Sequence, residues 1–140
     1  MAEILRVQLP DATAGEIAAL VRAGEGSPGR ALGFAGLDIA SIETEMAALA
    51  DTGDPSNLIR ARLAKQLGAK AAQPRYEAFL ERAPSFIAER AKALSGDALR
   101  TALDAYAAAR ELGGAATGLS LDASATVFEM GGILARLGRT

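Results

Sequence analysis

The residues able to do chemistry are few. Glu43 and Glu45, and Asp51 and Asp54, are the closest carboxylate pairs, and paired carboxylates can carry general acid–base catalysis. Residues two apart do not share a helix face, so Glu43 and Glu45 do not form a dyad. Both pairs read as solvated surface. There is no cysteine and no histidine, which removes thiol nucleophiles, disulfides, the usual zinc sites and imidazole chemistry. The serines therefore lack a histidine partner, and no motif supports a Ser-Lys pair. No G-x-x-x-x-G-K-[ST] loop occurs. Basic residues recur at Arg60, Arg62 and Lys65, and again at Arg82, Arg90 and Lys92, without aromatic residues placed to stack bases. These read as solvated helix faces. One stretch remains, "GEGSPGRALGFAG" from Gly24 to Gly36. Glycine-rich turns that open helices can bind phosphate. Ser27 as N-cap with Pro28 at the first helical position is equally ordinary capping chemistry.

The elements that position these residues are helical. Of 140 residues, 50% are apolar and only 4% aromatic, and the apolar mass is mostly alanine and leucine, which favour helices. No segment alternates with period two, so the chain is expected to be all-α. Basic and acidic residues number 15 and 17, for a net charge of −2, which gives no field for autonomous nucleic-acid binding. No apolar run reaches the roughly 20 residues of a membrane span. The expected setting is soluble and cytoplasmic.

Glu3–Leu9 has helical spacing and stops at Pro10. Thr13 and Glu16 have the spacing of a capping box, in which each side chain bonds the other's backbone N–H; Ile17, Leu20 and Val21 follow on one face. A short helix from Ser27 reaches Gly36. Ile39, Ile42, Met46 and Leu49 mark a longer helix over 38–51. Asp54-Pro55 opens the next, with Leu58, Ile59, Leu63 and Leu67. From Pro74 a stripe of Tyr76, Phe79, Leu80, Ala83, Phe86 and Ile87 passes through Pro84, which is expected to kink or divide the helix. Leu99, Leu103, Tyr106 and Leu112 mark another long helix, ending near Gly118.

The last helix starts around Ser120 or Asp122 and runs to about Leu137. Its charged residues, Asp122, Glu129 and Arg136, are seven apart and fall on one line. Leu121, Ala125, Phe128, Gly132 and Ala135 lie on one side of that line; Val127, Met130, Leu134 and Leu137 lie on the other. A helix apolar around most of its circumference packs on more than one side. The small-residue flank of Ala125, Phe128, Gly132 and Ala135 is assigned to a neighbouring subunit, with Arg110 and Arg136 as rim partners. The other flank is assigned to the core.

The "EGSPGRALGFAG" segment followed by paired helices resembles the C-terminal region of bacterial clamp-loader subunits of the DNA polymerase III delta-prime group. Members resemble one another in a lid helix reading "GSPGRAL" and in an all-α collar whose last helix follows a Leu-x-Leu-Asp stretch, here Leu119-Ser120-Leu121-Asp122. The resemblance implies an all-α helical bundle of collar type, residues 37–140, preceded by a lid fragment, residues 2–36. It implies a non-catalytic role in DNA replication. Clamp-loader subunits would join through the collar into a hetero-pentamer that places the sliding clamp on primed DNA. In ATP-binding members the lid helix looks like "GSxR", with the arginine two residues after the serine. Here Gly29 fills that place and the arginine is Arg30. A displacement by one residue turns a helical side chain by about 100° and moves it about 1.5 Å. Ser27, Pro28, Gly29 and Arg30 are accordingly a vestigial motif, and no cofactor or metal is expected. The abrupt start at Glu3 is read as a cut, with the family's nucleotide fold, arginine finger and zinc-binding cysteines lying upstream. Two other readings stand beside this one: an anion-binding regulatory module at Ser27–Arg30, and a homodimerising helical adaptor.

Overall fold

The computed structural model describes residues 1–139, and every regular element among them is helical: eight α-helices and two short 3-10 turns. None of these helices is long and apolar enough to cross a membrane. The chain divides into two compact units, Met1–Thr44 and residues 45 onward. The division falls inside a helix, α4 (Ile39–Thr52), and not at the turn before it, where the sequence was divided. Ile39 and Ile42 are buried and Glu43 bonds Arg22, which binds the first turns of α4 to the first unit.

The first unit contains α1 (Ala2–Gln8), α2 (Ala14–Gly24) and α3 (Pro28–Gly33). Thr13 Oγ1 accepts from the Glu16 amide at 3.1 Å, so half of the capping box forms. The Glu16 carboxylate does not return a bond to Thr13; it lines a surface hollow. Glu25 and Gly26 turn the chain with φ of 48° and 88°. This brings α3 back so closely that a Cβ on Gly24 would lie 2.7 Å from that of Ala31. Ser27 then caps α3, accepting from the Arg30 amide at 3.1 Å, with Pro28 at its start.

In the second unit α6 (Gln73–Ala91) packs along α7 (Gly96–Leu119), and α5 (Leu58–Leu67) along α8 (Ala123–Ala135). Helix α8 also touches α6 and α7, and so is covered on several sides. Phe79, Ile87, Leu63, Leu67, Met130 and Leu134 are among its most buried side chains. Helix α6 continues through Pro84 as one helix, so of the two expected outcomes, a kink or a division, the division does not occur. The missing N–H removes one helical bond, and the buried residues on either side, Phe79, Ala83 and Ile87, keep both halves packed in one helix. Helix α7 differs too. Its buried face is Ala102, Ala105, Ala109, Leu112 and Ala116, whereas Leu103 is 54% exposed and Leu99 and Tyr106 are half-buried. Alanines let two helices approach closely, so the helix turns a mainly alanine row inward and leaves Leu103 outside.

Candidate functional site

The carboxylates singled out in the sequence each face an arginine. Glu43 pairs with Arg22 at 2.8 Å, Glu45 with Arg62 at 2.9 Å, Asp51 with Arg90 at 2.6 Å and Asp54 with Arg60 at 2.9 Å. Neither sequence pair converges as a catalytic dyad. Among the described residues no cluster of three acidic side chains could hold a metal ion. The expectation of solvated surface fails at three of these residues. Asp54 is 1% exposed, Arg60 8% and Arg82 6%. Arg60 stands three and seven residues before Leu63 and Leu67, on the apolar row of α5, and this was the sequence signal that it points inward.

Asp54 sits in a turn of left-handed residues, with φ of 73° at Gly53, 46° at Asp54 and 64° at Asn57. Its amide donates to Thr52 Oγ1 at 3.1 Å. The carboxylate then caps α5 from a distance. Oδ1 accepts from the Ile59 amide and Oδ2 from the Arg60 amide, both at 3.1 Å, two of the donors that a helix start leaves unpaired. Arg60 closes the ring, its Nε donating to Oδ2 at 2.9 Å and Nη2 to the Asp54 carbonyl at 3.2 Å. Burial pushes the Asp54 carboxyl up. The Arg60 and Ile59 amides, with the Arg60 guanidinium, more than offset this and hold it below the ordinary carboxylate range.

The Arg60 side chain lies across α8. Its guanidinium carbon stands 5.1 Å from the Phe128 ring centroid. A Cβ on Gly131 would meet its Cγ at 2.7 Å, and one on Gly132 would meet Nη1 at 3.2 Å. Lower on the pair, Ser124 Oγ donates to the Ala64 carbonyl at 3.4 Å, where Gly68 leaves room for it. The small residues of α8 thus admit the chain's own α5. The sequence assigned that close approach to a neighbouring subunit; tertiary packing supplies it internally.

The predicted interface residues are consequently sorted. Ala135 is fully buried with Val127, Met130 and Leu134, so it belongs to the core. Ala125 and Arg136 are exposed, Gly132 is half-buried and Phe128 is 39% exposed. Ala125, Phe128 and Gly132 form one outward row of α8, with Leu121 (38% exposed) just before the helix and Arg136 just after it. Arg110 is exposed on α7, where Nη1 donates to Tyr106 Oη at 3.2 Å and the guanidinium packs on the Tyr106 ring. Asp122 caps α8, accepting from the Ala125 amide at 2.9 Å.

The other predicted site, Ser27–Arg30, is the start of α3. Arg30 pairs with Glu25 at 3.2 Å. Two adjoining hollows of about 340 and 400 Å³ in the first unit share Glu16, Leu20 and Gly36. Their walls bring in Asp38 and Asp11 and no lysine or arginine, which is the wrong charge for a phosphate. Neither hollow is lined by Ser27, Pro28, Gly29 or Arg30. Comparison of the chain with known families, characterised proteins and solved structures finds no match.

Proposed function

We propose that this chain is a non-catalytic assembly module of the clamp-loader collar type, acting in the cytoplasm. It would join other clamp-loader subunits in a ring that loads the sliding clamp on primed DNA. The observation that carries the reading is the outward row of α8. There a half-open phenylalanine stands on a helix otherwise packed on several sides. Large aromatics in such positions are frequent anchors of protein interfaces. The "GSPGRAL" helix start and the Leu119–Asp122 entry to α8 are the sequence support for the clamp-loader assignment.

The reading separates binding from folding. Phe128→Ala should weaken assembly with the clamp-loader subunits by about 1–3 kcal/mol while lowering the melting temperature far less than loss of a fully buried side chain does. Leu134→Ala, at a fully buried position, should cost the isolated chain about 2–5 kcal/mol of stability. Sedimentation velocity of mixtures and thermal melts of each variant measure the two effects. Failure of the unmodified chain to join any clamp-loader subunit of its own organism at tens of micromolar would sink the assignment.

A further inference from the structure

We propose that Arg60 and Phe128 form the contact point for a helix of a partner protein, one that presents a carboxylate beside an apolar side chain. The inference rests on the assembly reading and adds the chemistry of the partner. Arg60 is 8% exposed, and Nε and Nη2 are spent on Asp54. The remaining nitrogen, Nη1, has no hydrogen-bond partner among the described residues, yet it is not one of the atoms sealed from solvent. A nearly buried guanidinium is costly unless its donors are met. This one is held rigid by Asp54 and opens where Gly132 has no side chain to cover it. Fixed donors lose little freedom on binding, so a carboxylate placed there gains a charge-assisted bond without an ordering penalty.

The surroundings select the occupant. One turn beyond Gly132, the exposed Arg136 makes no ion pair among the described residues and supplies the net positive charge at this end of the row, where Arg60, neutralised by Asp54, offers its Nη1 as a donor. In the other direction the same row turns apolar, through Phe128 and Ala125. An apolar row with one cationic end matches a helix with an apolar row and one acidic end. A nucleic-acid backbone fits poorly. Binding phosphates takes several cations, the Arg60 charge is balanced by Asp54, and Glu129 stands next to Phe128 on a chain of net charge −2.

The test uses the whole chain, labelled with nitrogen-15, and two small probes followed by NMR. Phenylacetate joins a carboxylate to an apolar ring, and phenylacetamide removes only the charge. We expect saturable phenylacetate shifts at the Arg60 Nε–H, the Gly132 amide and the Phe128 ring, several-fold weaker with phenylacetamide and lost in Phe128→Ala. No shift at these groups, or equal response to both probes, overturns the site. In parallel, Phe128→Ala and Gly132→Ala should each weaken assembly with clamp-loader subunits about tenfold, more than the change in melting temperature of the same variant accounts for. Assembly that ignores both substitutions also overturns the site. Saturable phenylacetate shifts with no assembly support the site and reject the clamp-loader assignment alone.

Discussion

Asp54 and Arg60 are joined to each other by side chain and backbone alike, and the bond network has a cost that substitution exposes. Asp54→Ala leaves Arg60 buried without its counter-ion and leaves the Ile59 and Arg60 amides uncapped. Removing one partner of a buried pair costs about 3–5 kcal/mol, and denaturant unfolding of the variant checks it. The same pair sets an acid limit. The folded-state pKa of Asp54 is depressed, so its contribution is complete above the unfolded value, about 3.9. It is lost as pH falls through the folded value. Stability of the natural chain should therefore drop below about pH 4, and Asp54→Asn should lose less over that interval. Gly131 is the third member of this group. Gly131→Ala drives a methyl against the Arg60 stem at 2.7 Å, and Arg60 is tied down at its far end. Overpacking of this kind costs about 1–3 kcal/mol, read from the melting temperature.

At the scale of elements, the rotation of α7 about its axis is the point most open to test. The structure puts the alanine row inside and Leu103 outside. Leu103→Ala should then change stability by no more than about 0.5 kcal/mol. Ala109→Leu, at a fully buried position against closely packed neighbours, should cost about 1–3 kcal/mol. The reverse pattern of melting temperatures would mean that the leucine row is the buried one. Helix α8 depends on its entry as well as its packing. The Asp122 cap is worth about 1 kcal/mol, and its loss in Asp122→Ala should appear first as faster amide exchange around Ala125.

For the molecule as a whole, the non-helical turn between α3 and α4, with Gly36 and Asp38 exposed, is expected to be the weakest stretch to proteolysis. Residues 34–38 form a turn in which Gly36 and Asp38 both have positive φ, 80° and 52°. Brief digestion should cut there and leave a folded C-terminal fragment that begins with α4. First cleavage inside α6 or α7 would contradict this order of stabilities. Nucleotide should leave the chain indifferent. Arg30 is paired with Glu25, and the nearby hollows are walled by carboxylates, so calorimetry with magnesium and ATP should show no saturable heat at micromolar concentration.

The sequence by itself determined the helical fold, the starts of α2 and α3 and much of the core, whereas α5 begins at Leu58 and not at the expected Asp54-Pro55. Alanine and leucine at helical spacing admit no other regular structure. Thr13, Ser27 and Asp122 act within three residues of the amides they cap, so each was legible locally. Ile39, Ile42, Met46 and Leu49 are buried as their spacing required. What spacing could not decide was which of two apolar rows a helix turns inward. On α7 both rows are apolar, and the choice of alanines over leucines depends on how closely α6 approaches. Nor could local pattern show that Gly131 and Gly132 are small to admit Arg60. Arg60 and these glycines are separated by about half the chain and meet only because α5 lies along α8. Part of a face assigned to another subunit is filled from within, Ala135 by the core and the glycines by Arg60, while Ala125 and Phe128 stay open, because packing is decided by which surfaces find partners in three dimensions.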